Sequence, residues 1–459
     1  MQNEWQHTTI GDLCSKITSG GTPKTSNLAF YNDGTIPWLN TKEVNFSRIY
    51  RTEKLITEEG LNSSSVKWIP KNSVIVAMYG ATAGKVAVNK IPLTTNQACC
   101  NLIIDPKKSD YNFVYYYLSQ NYLKLLDLAN GAAQQNLNSL IIRKFPITLP
   151  GVKEQTAIAN TLATLDDKIE LNRQMNVTLE TMAQALFKSW FVDFDPVIDN
   201  ALAAGNSIPE QLEARAEIRK TLGDQRKPLP DDLQKQFPDR FVLTDEMGWI
   251  PESWDVVSLD EIIDLIGGGT PKTSIEEYWT GNIPWFSVVD APDPSNVFVL
   301  KTEKNISEEG LKNSSAKLLP IGTTIISARG TVGKCALVGQ PMATNQSCYG
   351  IQGKPGIADY FVYYTVLLRV SELQQRGHGS VFNTITRETF RSIKTPICAK
   401  HLTTEFHRQI EPYFSRILEN NFQIECLSNL RDTLLPKLLS GKLRVPEAEV
   451  IIDEQLVEA

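Results

Sequence analysis

Two halves of this 459-residue chain are diverged copies of one another. Four segments recur in the same order: GGTPKTS (20–26 and 268–274), IPW (36–38 and 283–285), TEKLITEEGLNSSS with TEKNISEEGLKNSS (from Thr52 and from Thr302), and TNQ (95–97 and 344–346). The offset between matching segments stays between 247 and 250 residues. Because both the order and the offset are kept, the chain contains an internal duplication. We therefore expect two copies of the same fold.

Each copy begins with about 150 residues of mixed character. Short apolar runs predict strands at 73–80 and 323–330. Longer runs rich in tyrosine and leucine predict helices at 110–129 and 359–375, each followed within two residues by a glycine that can end a helix. The sequence therefore predicts two globular domains of the α+β class.

Each copy then continues into one long amphipathic helix. Apolar and amide residues recur there at alternating spacings of three and four, which is a heptad pattern. The first seam is Ile158, Leu162, Leu165, Ile169, Asn172, Asn176, Leu179, Ala183, Leu186 and Trp190; the second is Ile410, Phe414, Ile417, Asn421, Ile424, Leu427, Leu434 and Leu438. We expect the two helices to form an antiparallel coiled coil between the domains. The alternative is that each helix packs on its own domain alone.

Asn172 and Asn421 occupy equivalent positions, 249 residues apart, near the middle of their helices. In an antiparallel pair related by pseudo-twofold symmetry the two midpoints meet. We therefore expect these amides to face each other, because a buried polar pair costs stability but fixes the register and orientation of a coiled coil.

The duplication predicts six consecutive segments. They are a first globular domain (1–150), a first long helix (151–195), a connector (196–248), a second globular domain (249–400), a second long helix (401–442) and an acidic tail that we expect to fray (443–459).

Composition and charge exclude several classes of protein. With 42% hydrophobic and 21% charged residues, the chain is neither disordered nor fibrous. It has no apolar run long enough to span a membrane, and its N-terminal stretch has no signal-peptide pattern, so we expect a cytoplasmic location. The net charge of −6 is uneven, because residues 1–150 carry 15 basic and 10 acidic side chains whereas residues 151–248 carry 11 and 17. A basic domain and an acidic connector fit contact with a polyanion and with protein, respectively.

No catalytic pattern is present. GATAGK (80–85) and RGTVGK (329–334) differ from a phosphate loop in spacing and lack the following Ser or Thr, so both are interpreted as tight turns between strands. There is no Gly-rich dinucleotide or S-adenosylmethionine fingerprint. The carboxylate–lysine run PDDLQK (230–235) lies in the acidic connector and has no counterpart in the repeat. Four histidines and seven cysteines show no metal-ligand spacing, and we expect reduced, mostly buried thiols. The sequence indicates a recognition scaffold rather than an enzyme.

The same segments resemble the specificity subunits of type I restriction-modification systems. GGTPKTS with IPW, the ISEEGLxxSS block, ARGTVGK and ATNQ are similar to that family's target recognition domains, and FKSWFVDFDPV, GWIPESWDVVSL and LLPKLLSGKLRV to its connecting regions. The resemblance implies a non-catalytic subunit that recognises a bipartite, asymmetric site in double-stranded DNA. It also implies partners: two modification (methyltransferase) subunits and restriction subunits, which use S-adenosylmethionine, ATP and Mg²⁺.

Candidate DNA-contacting residues follow from the repeat. Amide and other polar side chains on two unlike loops are suited to base edges in the major groove; we expect this role for Gln134, Gln135, Asn136, His378, Ser380 and Asn383. Basic residues on the shared segments are suited to phosphate; these are Lys24, Lys85, Lys272, Arg329 and Lys334. The alternative for the loop residues is ordinary solvent exposure, and for the lysines a part in maintaining the fold.

Two hypotheses of function remain open on the sequence. The first is the DNA-recognition subunit of a restriction-modification complex. The second is a coiled-coil interaction scaffold, such as a spare specificity cassette without restriction activity. A self-contained nuclease-methylase is disfavoured because the motifs for both reactions are missing.

Overall fold

The computed structural model describes residues 5–128, 136–223, 229–292, 296–377 and 384–458. The chain divides into two compact units: unit 1 comprises 1–170 and 425–459, and unit 2 comprises 171–424. Each unit contains one of the predicted globular domains and one half of each long helix.

The domain of unit 1 is built on mostly antiparallel sheets, and each of its two larger sheets contains one parallel pair of strands. Its strands are β1 (Gln6–Thr9), β2 (Cys14–Ser19), β3 (Ile36–Leu39), β4 (Ser47–Ile49), β5 (Lys54–Ile56), β6 (Trp68–Ile69), β7 (Val74–Ala77), β8 (Val86–Asn89), β9 (Leu93–Thr95), β10 (Cys99–Ile104) and β11 (Pro146–Leu149). The main sheet has the order β2-β10-β7-β8-β4, a second has β5-β3-β9-β6, and β1 pairs with β11. Every residue of β7 and β8 is buried, which is why these strands are continuous apolar runs rather than alternating ones.

Short helices cover this domain. They are α1 (Ile10–Leu13), α2 (Glu58–Asn62), α3 (Tyr111–Gln120), α4 (Tyr122–Asp127) and α5 (Ser139–Lys144). The single helix expected over 110–129 is thus two helices. Asn121 leaves the helical conformation, with ψ at 20°, and its side-chain amide donates to the carbonyl oxygen of Tyr117 at 2.9 Å. An Asn side chain that bonds the backbone in this way competes with the helix ladder.

The chain then runs through α6 (Val152–Phe191) into the connector. Its elements are α7 (Asp195–Ala204), α8 (Glu210–Leu222), α9 (Asp231–Gln234) and the antiparallel hairpin of β12 (Phe241–Thr244) and β13 (Gly248–Pro251). Phe194, in the left-handed conformation at φ 55°, turns the chain from α6 into α7. The connector belongs to the core of unit 2, where Phe237 packs edge-on against Trp190 with ring centroids 5.3 Å apart.

The domain of unit 2 repeats the first. Its strands are β14 (Asp255–Ser258), β15 (Ile263–Gly267), β16 (Ile283–Phe286), β17 (Phe298–Val299), β18 (Asn305–Ile306), β19 (Thr324–Ser327), β20 (Cys335–Val338), β21 (Ala343–Thr344), β22 (Cys348–Gly353) and β23 (Lys394–Ile397). Its helices are α10 (Leu259–Ile262), α11 (Glu308–Lys312), α12 (Asp359–Gly377) and α13 (Arg387–Ser392). The main sheet, β15-β22-β19-β20-β17, has the strand order of its counterpart, with the same parallel pair at the edge.

The chain ends with α14 (Lys400–Leu439) and α15 (Val445–Glu458). Helix α15 lies where the acidic tail was expected to fray, so that expectation is wrong for the described residues. Ala448 is fully buried, and the Arg444 guanidinium contacts the Glu154 carboxylate within unit 1. Burial and an ion pair therefore hold a segment whose charge alone predicted disorder.

Helices α6 and α14 pair in an antiparallel manner within each unit. In unit 1, Asp166 pairs with Arg431, and Glu154 contacts Arg444 just beyond α14. In unit 2, Asn176 bonds Asn421, and the rings of Phe187 and Phe406 lie 5.7 Å apart. In each unit the residue numbers of the contacting residues increase along α6 as they decrease along α14, so the helices are antiparallel. The predicted α+β domains and antiparallel pairing are confirmed.

Candidate nucleic-acid interface

The motifs repeated in both halves form the framework of each domain. In unit 1, the Trp38 indole, which belongs to IPW, donates to the carbonyl oxygen of Gly21 at 3.0 Å. A Cβ on Gly20 would lie 1.9 Å from the carbonyl oxygen of Thr95, which belongs to TNQ. The two glycines therefore let three motifs pack backbone against backbone.

Unit 2 repeats this packing. The Trp285 indole donates to the carbonyl oxygen of Gly269 at 2.9 Å. A Cβ on Gly268 would lie 2.0 Å from the carbonyl oxygen of Asn345. The segments that diverged least are thus those that hold each domain together.

Lys24 and Lys272 lie at the surface of these frameworks. Both side chains are exposed. In each copy the threonine two residues earlier donates to the glutamine of TNQ (Thr22 to Gln97, Thr270 to Gln346). Each lysine side chain is therefore accessible, and the segment that carries it is held to the rest of the domain by the threonine–glutamine hydrogen bond.

The turn between β7 and β8 carries Lys85. Its ammonium lies 2.7 Å from the side-chain oxygen of Asn45 and 5.8 Å from the ring centroid of Phe46. The Phe46 ring packs edge-on against Tyr122, 5.3 Å between centroids. A half-buried cation is thus held between an amide and an aromatic pair at the end of the sheet.

The corresponding turn of unit 2, between β19 and β20, carries Arg329 and Lys334. Both side chains are exposed. Arg329 forms an antiparallel backbone bridge with Thr384, and the Gln374 side chain of α12 donates to the carbonyl oxygen of Val332 at 2.9 Å. Helix α12 and the segment after it therefore fix the position of this turn.

The predicted base-reading residues are only partly visible. Asn136 is exposed and immediately precedes Leu137, which is buried. The other five lie outside the described residues: Gln134, Gln135, His378, Ser380 and Asn383. The flanking residues that are described place the start or end of each loop next to the turn that carries the basic side chains.

Sequence reasoning missed three aromatic residues at this end of unit 1. Tyr79 and Phe46 are 41% and 39% exposed, and Tyr122 packs against Phe46. Phe46 has φ at 51°, which is unusual for a bulky residue. No local sequence signal marks Phe46, but Tyr79 could have been found because it is the counterpart of Arg329, 250 residues earlier.

The central asparagines form a buried amide cluster in unit 2. Asn172 and Asn421, the predicted pair, are 1% and 5% exposed. Asn172 donates to the Gln423 side chain at 3.2 Å, whereas Asn421 accepts from Asn176 at 2.7 Å. Asn176 in turn accepts from Asn420 at 2.8 Å. The partner of Asn421 on α6 is thus one helical turn beyond Asn172, and Asn421 itself donates to the Asn296 side chain at 2.9 Å.

Among the described residues, no group of three or more His, Cys, Asp or Glu side chains could hold a metal ion. In the same part of the chain, no helix has the length and apolar character needed to cross a membrane. All seven cysteines are free. Burial raises the pKa of the Cys348 and Cys398 thiols to about 12, so both stay protonated and unreactive at neutral pH.

Comparison with known proteins gives one consistent family. The family model described as "Type I restriction modification DNA specificity domain" matches residues 2–181 and 251–401, and so covers both copies of the repeat.

Two relatives match over nearly their whole length. The chain is 27% identical to the type I restriction enzyme MjaIX specificity subunit of Methanocaldococcus jannaschii, over 97% of this chain and 94% of that protein. It is 26% identical to the type I restriction enzyme HindI specificity subunit of Haemophilus influenzae, over 96% and 100%. The S subunit of the type I restriction-modification system from M. genitalium has a similar fold, with a TM-score of 0.56 at 18% identity, over 95% of this chain and 97% of that one.

Proposed function

Because this chain belongs to the family of type I restriction-modification DNA specificity domains, we propose that it is the subunit that selects the DNA target of a restriction-modification complex. Each of its two domains reads one half of a bipartite site in double-stranded DNA. The observation that carries this proposal is the repetition of one turn in both units, to which the residue just beyond each of two unlike loop sequences is hydrogen-bonded. Unlike readers imply unlike half-sites, so the target is asymmetric.

Four lysines contact the DNA backbone. Lys24 and Lys272 are equivalent, and so are Lys85 and Lys334, so neither pair can account for different sequences in the two half-sites. Phosphate contacts position a protein on the duplex without reading bases. The exposure of Lys24, Lys272 and Lys334 supports this role.

The bases are read by the two loops that adjoin these turns. Gln134, Gln135 and Asn136 serve the first half-site, and amide side chains of this kind pair with adenine edges in the major groove. His378, Ser380 and Asn383 serve the second half-site. The exposure of Asn136 and the difference between the two loop sequences support the assignment.

The partners are two modification subunits and the restriction subunits. They bind S-adenosylmethionine, ATP and Mg²⁺ and perform methylation and cleavage, while this subunit supplies recognition in the cytoplasm. Apolar side chains exposed on the helices support protein docking: Leu171, Val177, Met182 and Phe422. The buried Asn172 and Asn421 fix the register of the helices, because each amide loses its hydrogen-bond partner when the pairing slips.

Two measurements test the proposal together. The full chain is purified with its candidate modification subunit, and methylated adenines are mapped in a host with and without the gene. We expect a stable complex and methylation of one interrupted, asymmetric sequence. Failure to bind a modification subunit, or methylation of one uninterrupted palindrome, contradicts the proposal; a stable complex that methylates nothing indicates a spare specificity cassette.

A further inference from the structure

Tyr79 and Arg329 occupy the same backbone position in the two domains. Each follows the residue whose carbonyl oxygen accepts a hydrogen bond from the segment beyond the reading loop. These bonds run from the Leu137 amide to Met78 at 2.8 Å and from the Ile385 amide to Ala328 at 2.9 Å. The two sites are therefore matched by their contacts and not only by alignment.

The turns that follow are closed by matching bonds as well. The last residue of each inner strand donates to the carbonyl oxygen of the lysine that ends the turn: Ala77 to Lys85 and Ser327 to Lys334, both at 2.9 Å. The turn of unit 2 is one residue shorter, yet these bonds are kept. The backbone at 79 and 329 is thus held in the same way in both units.

The side chains at these positions project outward and take no part in the core. Met78 and Ala328, which precede them, are buried, whereas Tyr79 and Arg329 are exposed. The backbone bridge between Arg329 and Thr384 places this residue beside the end of the second reading loop. The side chain thus differs between the two domains, whereas the backbone that carries it is held by the same hydrogen bonds, next to the proposed DNA-reading surface.

Chemistry separates this position from the lysines around it. A phosphate contact carries no sequence information, so two domains that read different bases can keep the same residue for it, as Lys85 and Lys334 do. A base contact has to differ between unlike half-sites. At 79 and 329 a phenol replaces a guanidinium on the same support.

We infer that Tyr79 and Arg329 are specificity-determining residues, each reading one base of its own half-site; this inference rests on the proposed function. The Arg329 guanidinium is suited to the O6 and N7 atoms of a guanine, which accept from both arms of its planar fork. The Tyr79 ring is suited to contact with a thymine methyl group. Arg329 therefore leaves the group of residues expected to contact phosphate.

The test uses the complete complex with its modification subunit. Wild type and the variants Arg329→Gln, Arg329→Lys and Tyr79→Leu are assayed for methylated motif and for binding to duplexes with single base changes. Lys334→Gln is the matched control, since it removes a cation from the same turn. For Arg329→Gln and Arg329→Lys we expect selectivity at one base pair of one half-site to fall roughly 5- to 150-fold, with the other half-site unchanged. Tyr79→Leu should act only on the other half-site.

Each other result has a defined meaning. The inference is overturned if Arg329→Gln weakens all duplexes equally, as Lys334→Gln should, or if Arg329→Lys behaves as wild type. When methylation is lost altogether, the duplex panel decides between these outcomes, and circular dichroism with gel filtration verifies that the complex is intact. A wild-type complex without any interrupted target refutes the proposed function itself. A normal wild-type target with unchanged selectivity in Arg329→Gln and Tyr79→Leu refutes only this inference.

Discussion

Asp166 on α6 accepts a 2.8 Å hydrogen bond from the guanidinium of Arg431 on α14, inside unit 1. The hydroxyl of Tyr116 donates to the same carboxylate at 2.6 Å, and Arg48 of β4 lies 3.7 Å from it. In unit 2 the position of Arg48 is taken by Phe298, which packs edge-on against Phe414 of α14. The two copies of the fold thus attach the globular domain to the long helices by different contacts, a charged cluster in unit 1 and an aromatic pair in unit 2.

Replacing Asp166 by Ala should destabilise unit 1. The change leaves Arg48 and Arg431 without their shared carboxylate in a largely buried site. Arg48 keeps its contact with Asp167 and Arg431 its contact with Asp432, so we expect a loss of about 1–2 kcal/mol, below the roughly 3 kcal/mol that an uncompensated buried charge costs. Urea denaturation followed by circular dichroism measures the loss. Asp167→Ala is the control, since Asp167 is 61% exposed and its contact with Arg48 lies at the surface; equal losses in both variants would refute this account.

Asn176→Leu should lower the free energy of unfolding by about 2 kcal/mol. It removes the partner of Asn420 and Asn421, and an unsatisfied buried amide costs about 1–3 kcal/mol. Changing all three asparagines to leucine should restore part of the loss, since the leucines need no partners and only the Asn296 side-chain oxygen loses a donor. Chemical denaturation of both variants checks the prediction, and a triple variant less stable than the single one would contradict it.

Unit 2 should lose stability in acid through Asp195. Burial alone would raise the pKa of this carboxyl, but hydrogen bonds from Arg215, at 2.7 Å to each oxygen, and from Ser189 outweigh it and lower the pKa below 3.8. A lowered folded-state pKa adds stability above the unfolded value, and this stability is lost as the pH falls through the folded value. Asp195→Asn should therefore be less stable than wild type at pH 7, with a gap that narrows below about pH 4.

Denaturation curves at a series of pH values measure that gap. Asp245→Asn, at an exposed carboxyl of the β12–β13 hairpin, is the control for the substitution itself and should unfold at pH 7 with the free energy of wild type. A gap for Asp195→Asn that stays constant from pH 7 to pH 3 would indicate that packing, not ionisation, explains the loss.

Two adjacent glycines of the second repeat should differ in their tolerance of alanine: Gly268→Ala should lower the melting temperature, and Gly267→Ala should change it little. At Gly268 a Cβ would meet the carbonyl oxygen of Asn345 at 2.0 Å, so the backbone must shift at a cost of roughly 3 kcal/mol. At Gly267 a Cβ meets no described atom within 4 Å, and φ is not positive. Thermal unfolding of Gly268→Ala and Gly267→Ala compares them directly. Similar melting temperatures would mean that the close packing of the repeated motifs does not limit stability.

Lys85→Gln should weaken DNA binding to all sequences alike. If the lysine meets phosphate, the slope of log K against log salt should become shallower by about 1, because one fewer counterion is released. Binding titrations of the complex at several salt concentrations give that slope. A changed methylation motif would instead assign Lys85 to base recognition.

Periodicity predicted the elements that extend over many residues. The heptad seams gave both long helices and their burial, because a pattern repeated over 40 residues averages out local exceptions. The repeat identified GGTPKTS, IPW and TNQ as segments shared by the two domains. It did not reveal that their glycines pack against main-chain atoms, as Gly20 does against Thr95, since close approach leaves no side-chain pattern.

Other features depend on contacts that sequence spacing does not encode. The register of the asparagines is one: the bond from Asn176 to Asn421 depends on where the helices meet. The order of α15 is another, because it depends on the burial of Ala448 and on a contact with Glu154, almost 300 residues away in the chain. Tyr79 was overlooked since it belongs to no motif, although the repeat pairs it with Arg329.

The turns at Gly80 and Gly330 are held by main-chain hydrogen bonds, so the identity of the preceding side chain has little bearing on whether either domain folds. Because the Tyr79 and Arg329 side chains are exposed, a substitution at either position should change the free energy of unfolding little. If these side chains read bases, as inferred above, single substitutions in the gene give the protein new half-sites without loss of the fold. Because the duplication places one such position in each domain, either half-site can then change while the other is retained.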